Sequence, residues 1–100
     1  MDVTYRIDKD ILYIAVEGRV DASNAADAEK KIFEIKKANP GKNVVVDADK
    51  LDYISSAGLR VLLATQKIMN KQGSMVVTNV NETIMEIFEV TGFSDILTIQ

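Results

Sequence analysis

Ser55 and Ser56 are adjacent hydroxyls in the stretch VVVDADKLDYISSAGLRVLLATQKIMNK, Val44 to Lys71. They fall where a β-branched strand, Val44-Val45-Val46, and an acidic loop, Asp47 to Asp52, give way to an amphipathic helix. Function in open α/β sheets gathers outside the carboxyl ends of the strands. The start of a helix offers free N–H groups and the positive end of the helix dipole, both suited to an anion. A serine at that place can cap the helix, bind a phosphate, or carry one. A phosphoserine would add about −1.5 to −2 charges at neutral pH. The helix end would stabilise that charge, and Asp47, Asp49 and Asp52 would oppose it. The surface potential would change sharply with little refolding, which is the physics of a binding switch. Ala57-Gly58 keep the surroundings small, so a partner's backbone or active site can come close.

Other chemistry is narrowed by what the chain lacks. It has no Cys and no His. Disulfides, thiol nucleophiles and thiolate metal sites are excluded, and so is a Ser–His–Asp triad within the chain. Asp47, at the end of a central strand, stands where a receiver domain has its phosphoacceptor. A receiver also needs an acidic pair leading into a helix after its first strand. Here Asp8-Lys9-Asp10 turns into a hairpin, so Asp47 reads as an acid that fixes its loop. The glycines form neither G-x-G-x-x-G nor G-x-x-x-x-G-K-[ST], which leaves kinase or dehydrogenase activity without support. Lys30, Lys31, Lys36 and Lys37 read as a solvated face.

The elements that must position the serines follow from periodicity. Val3, Tyr5 and Ile7 alternate with polar residues as a half-buried strand. Ile11 to Val16 is a second strand, joined to the first as a hairpin. Val20 to Asn24 is a helix entry in which Asp21 or Ser23 could cap. Ala25, Ala28, Ile32 and Ile35 recur at helical spacing until Asn39-Pro40-Gly41 stops them. Val44 to Asp47 has the continuous apolar character of a strand covered on both faces. The helix from about Ala57 to Gln72 carries two apolar stripes. Leu59, Leu62, Leu63 and Met69 form one; Val61, Ala64 and Ile68 form the other, which must meet a neighbouring helix or a partner. Met75 to Thr78 is a strand. Asn79-Val80-Asn81-Glu82 has capping-box spacing before a third helix that closes at Thr91-Gly92. Ile96 to Ile99 reads as a short last strand. The order β-β-α-β-α-β-α-β predicts an α/β domain with an N-terminal hairpin leading into a mostly parallel sheet.

Composition agrees with one domain. The chain has 100 residues, 47% of them hydrophobic, and a formal net charge of −3. An acidic chain lacks the basic stripe of a nucleic-acid binder. No apolar run nears the roughly 20 residues that span a bilayer, so no membrane insertion is expected. The opening MDVTYRIDKD has no signal pattern, and a cytoplasmic location is expected.

The stretch L-D-Y-I-S-S-A-G-L-R-V-L-L resembles the STAS domain, and specifically the stand-alone anti-sigma-factor antagonists of bacteria. The resemblance extends along the whole chain, residues 1–100. Glu17-Gly18-Arg19-Val20-Asp21 looks like the family's G-x-[LV]-D turn, and Val44-Val45-Val46-Asp47 like its central strand. Met75-Val76-Val77-Thr78-Asn79 and Ile87-Phe88-Glu89-Val90-Thr91-Gly92-Phe93 look like its closing strand and final helix. The resemblance implies partner switching by a non-enzymatic protein without cofactor or metal. The unphosphorylated antagonist binds an anti-sigma factor that is also a GHKL-type serine kinase, which frees the sigma factor. Phosphorylation on the serine of a D-S-[ST]-G motif breaks the complex, and a PPM-type phosphatase resets it. That serine falls on Ser56, with Asp21 as an acidic residue near it. The family's Asp before the serine is Ser55 here, a second candidate for modification, and the following Ser/Thr is Ala57. The expected interface comprises Asp21, Ser55, Ser56, Ala57 and Gly58, with Val61, Ala64 and Ile68 on the second stripe. STAS-like domains also serve as scaffold subunits in transport systems, including lipid transporters, where they hold an ATPase; this is the alternative function.

Overall fold

A hairpin comes first in the computed structural model, which describes residues 1–100. Strand β1 (Asp2–Asp8) runs antiparallel to β2 (Ile11–Val20) with no break in register. The two-residue turn places Lys9 at φ 56°, the left-handed geometry that suits a tight hairpin. Helix α1 (Ala25–Ala38), β3 (Asn43–Asp47), β4 (Leu51–Ile54), α2 (Ser56–Gln72), β5 (Met75–Thr78) and α3 (Glu82–Thr91) follow, then a 3-10 turn at Phe93–Asp95. The sheet order is β1-β2-β3-β5, with β4 also on β2.

Strand β2 serves two partners in succession. Ile11 to Ala15 pair in parallel with Asn43 to Asp47 of β3. Beyond Ala15 the strand changes partner: Gly18, Arg19 and Val20 pair with Leu51, Tyr53 and Ile54 of β4, with a register shift between Gly18 and Arg19 that leaves Asp52 as the extra residue on β4. Gly18 takes φ +86°, which a residue without Cβ adopts at little cost, and its amide donates to the Lys50 carbonyl at 2.8 Å. This pairing brings the start of α2 to the end of β2.

The core lies on one face of the sheet. Leu12, Ile14, Val44, Val46, Met75 and Val77 are buried there beneath Ile32, Leu59, Leu62, Met69, Ile84 and Phe88 of the helices. Each such side chain contributes about 1.5–3 kcal/mol by leaving water.

The structure departs from the sequence reading in several places. Lys36, expected on a solvated face, is buried, and its Nζ donates to the Lys42 carbonyl at 3.3 Å. Strand β3 is covered on one face only: Val44 and Val46 are buried, while Val45 is half-buried. Its unbroken valines satisfy strand propensity on the open face as well as burial on the other. The supposed loop after Asp47 contains strand β4, whose outward Asp52 obscured its short apolar pattern. Ile96 to Ile99 forms no strand; one bridge joins Ile99 to Val77, because the 3-10 turn brings only the last residues alongside β5. In β1, Tyr5 and Ile7 are exposed, since this strand lies at the sheet's margin. Helix α3 is capped by Asn81, whose Oδ1 accepts from the Ile84 amide at 2.9 Å. Asn79 instead turns the chain at φ 58°.

Candidate functional site

Ser55 and Ser56 are separated in role by where the helix begins. Ser55 is in the extended conformation and is the N-cap of α2; its Oγ accepts from the Gly58 amide at 3.3 Å. Its own amide donates to the Val20 carbonyl at 2.8 Å, and its carbonyl accepts from Leu59 at 2.8 Å. Ser55 thus continues the β4–β2 pairing and starts the helix in one residue. Ser56 is the first helical residue and is exposed, and its hydroxyl takes no part in the capping. Both Ser and Asp are strong N-caps. Ser55 in place of the expected acid therefore preserves the helix start while removing a charge.

Asp21 reaches the same end of the sheet because Val20 pairs with Ile54. Its carboxylate does not cap α1. Its Oδ1 accepts from the Ser23 amide at 2.9 Å and also from the Ser23 hydroxyl, closing a local turn. Asn24 Oδ1 accepts from the Asp21 amide, and Asn24 Nδ2 donates to the Arg19 carbonyl, both at 2.9 Å. The Asp21 carboxyl is held below its ordinary value, chiefly by the Ser23 hydroxyl, then by the Ser23 amide and, more weakly, by the Arg19 charge. Ser23 was expected as an alternative cap and acts instead as the donor that fixes Asp21.

Arg19 and Tyr53 complete the corner. They face each other across β2 and β4, and the guanidinium carbon lies 4.5 Å from the ring centroid. Sequence reasoning missed this pair, because only the unrecognised strand β4 brings the two together. Asp47 is structural, as expected: its Oδ1 accepts from the Asp49 amide and from Asn79 Nδ2, both at 3.0 Å.

The remaining interface candidates divide between surface and interior. Ala57, Ala64 and Ile68 are half-buried. Gly58 and Val61, expected to face a partner, are buried. A Cβ on Gly58 would lie 2.6 Å from Ile54 Cγ1 and 2.8 Å from Val20 Cγ1. Its small size lets α2 approach the sheet, rather than letting a partner approach α2. The second stripe meets α1: Val61 joins the core with Ala28 and Ile32, and Ile68 borders a groove with Phe33 and Lys36.

The corner is a surface, not a pocket. The apolar space beneath Gly58 has a volume of only about 20 Å³, far below the roughly 300–1,000 Å³ of a ligand pocket. No three acidic side chains gather in a way that could hold a metal ion. What the arrangement offers is an exposed hydroxyl at the positive end of a helix, beside a preformed acidic turn.

A family model described as STAS domain matches residues 2–100. Among curated proteins, BtrV of Bordetella bronchiseptica, named as an anti-sigma factor antagonist, is 36% identical over 86% of this chain and 74% of its own length. The anti-sigma-B factor antagonist of Bacillus subtilis is 26% identical over 99% of this chain and 90% of its own. Among solved structures, an anti-sigma factor antagonist from Mycobacterium paratuberculosis superposes with a TM-score of 0.86 at 19% identity, covering 98% of this chain and 83% of that one. This last likeness establishes the shared fold.

Proposed function

The chain belongs to the STAS domain family, and from that premise we propose that it is an anti-sigma-factor antagonist switched by phosphate on Ser56. It is a binding module rather than an enzyme. Its partner is an anti-sigma factor with GHKL-type serine kinase activity, docked on the Ser55–Ser56 corner with Asp21 and Ala57 beside it and the α2 surface at Ala64 beyond; Ile68, near the far end of α2 in the groove against α1, lies at the outer limit of that surface. Gly58 and Val61 support that surface from behind.

One observation carries this reading: Ser55 takes over the capping, so Ser56 is left exposed on the first turn. In the transfer step, Ser56 Oγ attacks the γ-phosphorus of ATP held by the kinase. Its proton passes to a base of the kinase, and ADP leaves. The product places a near-dianion where the α2 amides and dipole stabilise it. The domain therefore keeps its fold while the docking surface changes charge. Asp52 is exposed two residues before the end of β4, so the new charge adds to an acidic rim. A complex formed against the neutral serine loses affinity. A PPM-type phosphatase restores the hydroxyl. The reaction belongs in the cytoplasm, where sigma factors act, and requires neither nucleic acid nor membrane insertion.

The deciding experiment is intact-mass analysis after incubation with ATP and each anti-sigma kinase of the same genome. Peptide mapping and a Ser56→Ala control complete it. One phosphate on Ser56, absent in the control, is expected. Phosphate on Ser55 would keep the partner and move the site. No phosphate and no complex, together with copurification of a transport ATPase, would replace this reading with the scaffold one.

A further inference from the structure

The two margins of the sheet are treated differently. Along β5, the C-terminal segment covers the outer edge: the Val77 amide donates to the Thr98 carbonyl at 2.8 Å, and the Gln100 amide donates to the Val77 carbonyl at 2.9 Å. Strand β1 forms the opposite margin and has β2 on one side only. It is seven residues long, Asp-Val-Thr-Tyr-Arg-Ile-Asp, and pairs with β2 in unbroken register. Proteins guard such edges with proline, a bulge, a covering segment or charges, lysine above all; β1 has no proline, lysine or bulge, and its charges, Asp2, Arg6 and Asp8, are of mixed sign and so can complement a second copy. Tyr5 and Ile7 are 52% and 45% exposed on it.

We infer that the outer edge of β1 pairs with β1 of a second copy, antiparallel and centred on Thr4. A two-fold axis through an antiparallel edge pair runs perpendicular to the sheet. Facing residues must then point to the same side, so their numbers sum to an even value. Centring on Thr4 sets Asp2 against Arg6, Val3 against Tyr5 and Met1 against Ile7, twice over. Opposite charges and apolar–aromatic neighbours across strands are the pairs that stabilise sheets. Centring on Tyr5 would instead set Asp2 against Asp8, like charges that repel.

The charges concerned are free to take these partners. The ion pairs of the chain are Lys31–Asp27 and Lys50–Glu17, and neither uses Asp2 or Arg6. Arg6 is stacked on Tyr13 at 3.9 Å. A guanidinium stacked by its face keeps its N–H edge for a carboxylate. The pairing uses no residue of the Ser55–Ser56 corner, so it stands independently of the phosphate switch.

The test is sedimentation velocity on the full chain from about 1 μM to about 1 mM. A concentration-dependent dimer is expected. Arg6→Asp weakens it by about tenfold or more, because both cross-strand pairs become repulsive. The double exchange Asp2→Arg with Arg6→Asp restores it. The chain contains no Cys, so Thr4→Cys provides a clean second measurement. Mild oxidation should link Thr4→Cys into a dimer faster than Ile7→Cys, since directly facing strand residues lie within disulfide reach. A monomer at every concentration would overturn the inference. So would a dimer that Arg6→Asp leaves intact, one that the double exchange fails to restore, or equal cross-linking at the two positions.

Discussion

The Gly58 amide donates to the Ser55 hydroxyl at 3.3 Å, and this contact decides which of two adjacent serines is free. Removing an N-cap side chain costs about 0.5–2 kcal/mol, and the long distance argues for the lower half. Ser55→Ala should lower the melting temperature by a few degrees, at about 4–8 °C per kcal/mol for a domain of this size. Ser55→Asp should leave it close to wild type, because aspartate caps as well as serine. Ser56→Ala should stay within about 0.5 kcal/mol, as surface changes do. Thermal unfolding followed by circular dichroism orders the three. A larger loss for Ser56→Ala than for Ser55→Ala would reverse the roles assigned to them.

The charge switch makes a paired prediction about Ser56. An acid on the first helical turn interacts favourably with the helix dipole, by about 0.3–1 kcal/mol. Ser56→Asp should therefore hold or slightly raise the stability of the domain. The same substitution should weaken binding to the anti-sigma partner by about tenfold or more, equivalent to about 1.4 kcal/mol. Ser56→Ala should bind with near wild-type affinity and refuse phosphate. Calorimetric titration beside a melting curve separates the two effects. Unchanged affinity of a folded Ser56→Asp protein would sink the switch.

Gly58 is the packing hinge of the site. A Cβ there would press on Ile54 at 2.6 Å and Val20 at 2.8 Å, both buried branched side chains in facing strands. Overpacking of this kind costs about 1–3 kcal/mol, while alanine in place of glycine returns up to about 1 kcal/mol of helix propensity. Gly58→Ala should therefore destabilise on balance, and it should disturb Ser55 and Ser56 because the start of α2 must shift outward. Urea unfolding gives the first effect. Amide chemical shifts of residues 53–59 give the second. A Gly58→Ala protein as stable as wild type, with unchanged shifts there, would show that the close approach can relax at no cost.

The parts of this fold legible in the sequence are those set by local signals. Periodicity, unbroken apolar runs and cap signals predict the three helices and four of the five strands, and the serine pair stands out by its place between Val44–Val46 and the helix. What escaped depends on partners remote in the chain. Leu51–Ile54 is only four residues long and becomes a strand by pairing with Gly18–Val20 across the register shift. With β4 unseen, Arg19 and Tyr53 had no reason to meet, and Asp21 could be placed near Ser56 only by family resemblance. Gly58 reads as room for a partner because local sequence does not show that Val20 lies behind it. The second stripe needs cover, and the sequence leaves open whether a helix or a partner provides it; α1 covers Val61, while Ile68 stays half-buried at the groove against α1.

Asp21 yields a pH signature of the site. Its carboxyl is held below the ordinary value of 3.8, first by the Ser23 hydroxyl, then by the Ser23 amide, with the Arg19 charge a smaller cause. A carboxyl whose folded value is depressed contributes stability that is complete above its unfolded value. That contribution is lost as pH falls through the folded value. The turn should thus be intact throughout the neutral range and should loosen only in acid. Carbon-13 titration of the side-chain carboxyl should give a midpoint below 3.8 for Asp21. Ser23→Ala removes the hydroxyl and keeps the amide, so it should move that midpoint upward part of the way. Asp21→Asn keeps an oxygen for Ser23 and does not titrate there. The stability difference between Asp21→Asn and wild type should be flat above about pH 5 and should change only on further acidification. A midpoint at the ordinary value in the folded protein, or one that Ser23→Ala leaves in place, would mean that the Ser23 contacts do not hold the carboxylate. Asp21 would then enter the docking surface as a mobile charge rather than a fixed one.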